Sequence, residues 1–128
     1  MGGVGLPVAA APRRGACLAL LLASAFAAEA SRSPSFCPAL AAALRRPGVG
    51  GWSRRRAEEL EPMGGYGVGP EIDRCTKELA LARALMACGD EAGLGRETLQ
   101  GYARDPRGVF AEHANAVLRG HGVTPEHP

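Results

Sequence analysis

The clearest pattern in the chain is an apolar stripe with the period of an α-helix, which begins just after Pro70. Its members recur three or four positions apart, at Ile72, Cys75, Leu79, Ala82 and Met86, and Leu85 widens the stripe. Pro70 suits a first helical turn, and Glu71 and Asp73 place negative charge near the positive end of the helix dipole. Gly89 is typical of the position that follows a helix. The sequence therefore predicts an amphipathic helix from Pro70 to about Cys88.

Two shorter apolar patterns follow, and glycine or proline separates them. The first predicts a helix from about Arg96 to Arg104. In the second, Asp105 suits the N-cap and Pro106 suits the first helical position, and the pattern ends near Arg119. Three short helices of this kind form a small domain. The predicted fold class is all-α, as a two- to three-helix bundle or hairpin.

A different apolar pattern lies near the N-terminus, where residues 15–27 follow Arg13 and Arg14 without any charge. A helix rises about 1.5 Å per residue, so this run spans about 20 Å, whereas the hydrocarbon core of a membrane is about 30 Å thick. The run therefore has the length of a signal peptide rather than of a membrane span, and we expect no stable transmembrane segment in the mature protein.

Small residues follow this run at the A-x-A spacing that a signal peptidase requires. The predicted cleavage sites lie between Ala25 and Phe26, and after Ala30. A buried helix of a globular core is the alternative, but the basic flank and the two consecutive small-residue sites favour a signal peptide. Residues 1–30 are therefore predicted to be removed.

Charge divides the chain sharply at residue 56. Residues 1–56 carry eight basic groups and one acid, a net charge of +7, whereas residues 57–128 carry seven basic groups and twelve acids, a net charge of −5. A basic, acid-poor segment is typical of a nucleic-acid-binding arm or of a targeting peptide. The uncharged run inside it favours targeting, so the first 56 or so residues are predicted to be a presequence that is removed, and we expect no nucleic-acid partner.

Residues 23–27 read ASAFA, and a Ser- and Arg-rich segment without acids follows at 31–56. Together they resemble the bipartite plastid presequence of algae with secondary plastids, in which a signal peptide is cut before a Phe and the exposed segment acts as a transit peptide. The family usually has Pro after this motif, where this chain has Ala28. The resemblance implies a plastid location, in the stroma or associated with thylakoids. The alternative is a secreted protein with a basic propeptide that is processed at 54–56.

The predicted organisation is a disordered N-terminal presequence, a linker and a small helical domain. Its parts are a signal peptide at 1–30, a transit-like basic segment at 31–56, an acidic and then Gly-rich linker at 57–70, the helical domain at 71–120 and a flexible tail at 121–128. The glycines at 64–69 lack the preceding strand and the following Lys-Ser/Thr of a phosphate-binding loop, so the linker interpretation is preferred.

The cysteines and histidines do not form a recognisable chemical motif. Cys75 and Cys88 lie thirteen positions apart, which on one helix separates them by about 20 Å, so both are predicted to be free thiols. His113, His121 and His127 have no metal-ligand spacing and are expected to be solvated. We therefore predict no cofactor, no bound metal and no enzymatic activity. Metal or pigment bound through His113 would favour an enzyme instead.

The predicted helical domain has few large apolar side chains. A core of this size rarely supplies more than about 3–5 kcal/mol, so an apolar stripe beyond it favours docking on another protein. The residues predicted to contact that partner are Ile72, Leu79, Leu85, Met86, Phe110 and Leu118. The leading hypothesis is a non-catalytic helical subunit or assembly factor of a larger plastid protein complex. A small secreted protein is the alternative. The richness in Ala, Gly, Arg and Pro is also typical of a spurious reading frame in GC-rich DNA.

Overall fold

The computed structural model describes residues 14–59, 70–90 and 92–125, and these residues form five α-helices. The helices are α1 (Arg14–Ser31), α2 (Cys37–Arg45), α3 (Pro70–Cys88), α4 (Leu94–Ala103) and α5 (Gly108–Gly120). Short 3-10 turns occupy Pro34–Phe36 and Ala57–Glu59, and the described residues contain no strand. The predicted all-α class is confirmed. The predicted number of helices was wrong, because α1 and α2 form in the half for which no folded structure was expected.

Helix α3 is the centre of the fold, since α1, α2 and α4 all pack against it and α5 packs mainly on α4. Its predicted limits, Pro70 and Cys88, are those observed. The prediction of a single apolar stripe was incomplete, because residues 77–82 are all buried. A helix that is covered on several sides needs neighbours on each of them, and the N-terminal half supplies α1 and α2.

Small side chains allow α1 to lie close to α3. Ala25 and Ala28 are buried at this contact, and Nε of Arg83 on α3 donates to Glu29 at 2.8 Å. Helix α2 adds Leu40 and Leu44 to the same core. Among the described residues no helix is long and apolar enough to cross a membrane.

The turn after α2 brings residues 46–54 against α3 and α4. Gly48 and Gly51 have positive φ values of 83° and 87°, which side chains strongly disfavour. Gly50 has no room for a side chain, because a Cβ there would lie 2.7 Å from the carbonyl oxygen of Leu44. Glycine is therefore required for the chain to turn back along α3. The described part of the predicted basic segment is thus folded, which corrects the expectation of disorder there.

The C-terminal helices differ from prediction at their first turns. Helix α4 begins two residues early, at Leu94, because the Asp90 carboxylate accepts from the N–H groups of Gly95 and Arg96 at 2.7 and 2.9 Å. Helix α5 begins at Gly108 with Arg107 as its N-cap, so the prediction that Asp105 caps it was wrong. The Asp105 carboxylate is buried and is used in contacts with the N-terminal half instead.

The predicted linker and tail lie partly outside the described ranges. Residues 60–69, which include the Gly-rich stretch, and residues 126–128, which include His127, are among those not described. Within the predicted flexible tail, the N–H of Val123 donates to the carbonyl of Leu118 at 2.9 Å, and Gln100 Nε2 donates to the carbonyl of Thr124 at 3.1 Å. Residues 121–125 are therefore held against α4 and α5.

Candidate functional site

The six residues predicted to contact a partner do not share one surface. Four of them, Leu79, Leu85, Phe110 and Leu118, are buried in the core, and Met86 is half-buried. Ile72 is 38% exposed. A buried side chain is unavailable to a partner unless it lines an opening at the surface, so the candidate site depends on where such an opening lies.

An apolar groove of about 240 Å³ opens on the face of α3 between α1 and α5. Its floor is formed by Leu79 and Ala80, and its walls by Phe26 of α1 and by Val109 and Phe110 of α5. Phe26 is 51% exposed and Val109 is 64% exposed, which is unusual for large apolar side chains beside an apolar cavity. The groove therefore contains two of the predicted contact residues, Leu79 and Phe110, and exposes two others that were not predicted.

The exposed face of α3 extends this groove toward the N-terminus of the helix. Ile72 lies four residues before Thr76, which lines the groove, and eleven residues before Arg83, which also lines it. Residues at these spacings share one side of an α-helix. Ile72 therefore continues the apolar surface beyond the cavity, whereas Leu85, Met86 and Leu118 do not line it.

The other end of the groove is polar and is organised by Arg83. Its Nε donates to Glu29 at 2.8 Å, and its Nη1 lies 3.3 Å from Nε2 of His113. A guanidinium can only donate, so the His113 nitrogen accepts and the imidazole is neutral. Desolvation and the charge of Arg83 both lower the pKa of His113, which agrees with this assignment. The same guanidinium lies 5.9 Å from the ring centroid of Phe26.

The predicted cleavage residues form part of this site. Ala25 is buried against the core, Phe26 lines the groove, and Ala30 is exposed near the end of α1. A cut between Ala25 and Phe26 would therefore place the new N-terminus at the wall of the groove. Their role as cleavage sites stays a prediction.

On the opposite side of the fold, a buried carboxylate binds the N-terminal half to the helices that follow. Glu78 on α3 accepts from the N–H groups of Gly51 and Trp52 at 2.7 and 3.0 Å. The hydroxyl of Tyr102 on α4 donates to the same carboxylate at 2.6 Å. Burial raises the pKa of Tyr102, and the charge of Glu78 raises it further, so the phenol keeps its proton.

A second buried carboxylate, Asp105, makes an equivalent connection. It accepts from the N–H of Arg54 at 2.5 Å and from Nε and Nη2 of Arg107 at 2.9 and 2.8 Å. Nη2 of Arg107 also donates to the carbonyl of Trp52 at 2.8 Å. Burial opposes the charge on Arg107, but the hydrogen bond and the charge of Asp105 outweigh it and raise the pKa of this guanidinium. Most of these groups bind one another, which is typical of a structural network, although Nη1 of Arg107 is buried without a hydrogen-bond partner.

Cys37, Cys75 and Cys88 are free thiols, and all three are buried. Cys75 lies beside the network, with its sulfur 3.7 Å from the carbonyl of Trp52, and burial raises the pKa of its thiol. A protonated buried thiol is a poor nucleophile. Within the described ranges, no group of three His, Cys, Asp or Glu residues is arranged to hold a metal ion.

A larger cleft, of about 380 Å³, lies between the turn after α2 and the beginning of α4. Arg45, Arg46 and Arg55 are at its rim, and Glu78 and Glu97 also line it. Charges of both signs therefore face this cleft, and its one buried carboxylate, Glu78, is already satisfied by three donors. The apolar groove is the better candidate for a binding site.

Two wall residues of the groove could not be recognised from the sequence. Val109 lies in the predicted third helix, but nothing local indicates that it stays exposed. Phe26 was interpreted only as a cleavage residue, because its position against α3 depends on the packing of α1. No known protein family, curated protein or solved structure matches this chain.

Proposed function

We propose that this protein is a small, non-catalytic helical subunit or assembly factor that binds a larger protein complex through the groove between α1, α3 and α5. The observation that carries the proposal is the exposure of Phe26 and Val109 beside an apolar floor. Large apolar side chains that converge on one opening are typical of protein-binding surfaces.

The size of the groove favours side chains of a protein partner over a small molecule. Its volume of about 240 Å³ lies below the roughly 300–1,000 Å³ of ordinary small-molecule pockets. The extension of the apolar surface to Ile72 makes the site elongated along α3. An amphipathic helix of the partner suits this shape, because its apolar residues at spacings of three and four follow such a surface.

The polar end adds a requirement for the partner's charge. The guanidinium of Arg83 has five N–H donors, and its contacts with Glu29 and His113 engage Nε and Nη1. Its side chain is 28% exposed, so an acceptor from outside can reach it. We therefore propose a partner helix that carries an acidic residue at one end of its apolar face.

The proposed location is the plastid, in the stroma or associated with thylakoids, and the ASAFA-like site at 23–27 supports it. We further propose that processing stops at Phe26, since a later cut would remove this wall of the groove. Removal of all residues up to 56 would take away Gly51, Trp52 and Arg54, whose N–H groups bind Glu78 and Asp105. A buried acceptor that loses its partner costs about 1–3 kcal/mol, and more when it is charged.

The test is whether the native protein belongs to a complex that depends on the groove. We expect the tagged full chain to co-elute with a larger plastid complex on size exclusion. Val109→Asp should abolish this association, because it places a charge in the apolar wall while leaving the core intact. Ala42→Asp is the matched control: it adds the same charge at an exposed position of α2 that does not line the groove.

Two results would contradict the proposal. One is that the wild-type chain elutes as a stable monomer from the plastid stroma. The other is that Val109→Asp and Ala42→Asp behave alike. Recovery of the mature chain from the culture medium would favour the alternative, a small secreted protein with a basic propeptide.

A further inference from the structure

Two cysteines lie together where the beginning of α2 meets the end of α3. The thiol of Cys37 donates to the carbonyl oxygen of Cys88 at 3.3 Å. A Cβ built on the next residue, Gly89, would lie 3.9 Å from the Cys37 sulfur. Both cysteines are buried. The Cys37 thiol therefore lies directly against the backbone that carries Cys88.

We propose that Cys37 and Cys88 form a disulfide bond that joins α2 to the end of α3 under oxidising conditions. A carbonyl oxygen lies about 2.4 Å from its own Cα, so the Cys37 sulfur is within about 6 Å of the Cys88 Cα. A disulfide joins cysteines whose Cα atoms lie about 4.4–6.8 Å apart, so closing the bond requires the Cα atoms of Cys37 and Cys88 to come within that range. Closing the bond also requires the Cys88 side chain to rotate away from Ala28, whose carbonyl its thiol now contacts at 3.3 Å.

The electrostatics of Cys88 agree with this proximity. Burial raises the pKa of the Cys88 thiol, and the nearby Cys37 raises it further. Two neighbouring thiols oppose each other's ionisation in this way. Because the buried thiol is protonated at neutral pH, the bond forms while the chain folds or when this corner opens locally.

Cys75 provides the internal contrast. It lies thirteen residues before Cys88 on the same straight helix, a separation of about 20 Å, so these two cannot be bridged. Its sulfur contacts the carbonyl of Trp52 rather than another cysteine. Burial raises the pKa of the Cys75 thiol as it raises that of Cys88. What distinguishes Cys88 is the nearby Cys37.

The reaction requires the disulfide of another molecule as its oxidant. Oxidised glutathione provides such a disulfide. One thiolate of the pair attacks oxidised glutathione, forms a mixed disulfide and releases one molecule of glutathione. The second thiolate attacks that mixed disulfide, forms the Cys37–Cys88 bond and releases another molecule of glutathione. Two protons leave the protein, and glutathione disulfide is reduced to two thiols.

The experiment uses the purified full chain, equilibrated with mixtures of oxidised and reduced glutathione. We expect a peptide that joins Cys37 to Cys88 by mass spectrometry after proteolysis without reductant, in wild type and in Cys75→Ser. We also expect the unfolding midpoint to rise by roughly 10 °C or more on oxidation. In Cys37→Ser neither change should occur, and the serine hydroxyl keeps the donor to the Cys88 carbonyl.

The wild-type peptide map decides the proposal without relying on any variant. A folded chain whose Cys37 and Cys88 stay reduced at every ratio of oxidised to reduced glutathione would overturn it. A bond from Cys88 to Cys75 or Cys17 in the folded chain would also overturn it. Oxidation that raises the midpoint equally in wild type and Cys37→Ser would do the same.

Discussion

The two halves of this molecule differ in charge and in how their folding is determined. Residues 1–56 are basic and have the composition of a presequence, whereas residues 57–128 are acidic and contain periodic helical patterns. In the folded protein, Glu78 and Asp105 of the acidic half accept hydrogen bonds from Gly51, Trp52 and Arg54 of the basic half. The basic charge of the first half is typical of a targeting segment. In the folded protein it also complements the acidic half, against which this segment packs.

Among the residues that the structure describes, one ion pair runs in each direction across this interface. Arg54 Nη2 lies 3.2 Å from Glu71, and Arg83 of the acidic half lies 2.8 Å from Glu29, the one acid of the basic half. All four side chains are partly exposed, so these pairs contribute little, about 0–1 kcal/mol each. The buried carboxylates and the apolar contacts of α1 and α2 matter more. The contact between the halves therefore depends more on buried groups than on exposed charges.

Loss of the Asp105 carboxylate is expected to have the largest effect on this interface. Asp105→Asn removes the charge that balances the buried Arg107, and breaking a buried pair of this kind costs about 3–5 kcal/mol. The free energy of unfolding, measured by urea denaturation, should fall by that amount. Glu112→Gln removes one negative charge at an exposed position and should change stability by less than about 0.5 kcal/mol. Equal effects of the two changes would show that the interface is not buried in solution.

A smaller effect is expected from Tyr102, whose hydroxyl donates a hydrogen bond to the Glu78 carboxylate. Because the pKa of Tyr102 is raised in the folded state, the unfolded chain loses this proton first as the pH rises past about 10. Stability should therefore be unaffected by this group below pH 9 and should fall above pH 10, by up to about 1.4 kcal/mol per pH unit.

Tyr102→Phe tests this dependence and keeps the aromatic ring, which packs edge-on against Phe110 at 5.9 Å. The variant should lose about 1–3 kcal/mol at neutral pH, since the Glu78 carboxylate loses one donor. Its stability should then decline less steeply than that of wild type above pH 10. Identical alkaline slopes in the two proteins would mean that the phenol is not held by Glu78.

The same comparison explains which parts of the fold could be predicted from sequence. The limits of α3 are local, since Pro70 and Gly89 bound a periodic stretch. The folding of residues 37–54 is not local, because their hydrogen bonds end on Glu78 and Asp105, far along the chain. Asp105 illustrates the difference: beside Pro106 it has the local pattern of a helix cap, but a tertiary contact outweighs that role.

The candidate site was predicted in part for a related reason. Leu79 and Phe110 line the groove and Ile72 extends it, because one side of α3 remains partly open. Leu85 and Leu118 are apolar at the expected spacing, but they are buried elsewhere in the core. A hydrophobic stripe shows which residues avoid water, and only the tertiary packing decides whether another protein or the same chain covers them.

The central claim, that residues 37–56 are a lasting part of the folded protein, is tested most directly by the N-terminal residue of the protein isolated from the cells that express it. We predict that the mature chain begins at Phe26, with the α1 wall of the groove and the partners of Glu78 and Asp105 still attached. A mature, folded protein that begins at Ala57 or later would contradict it.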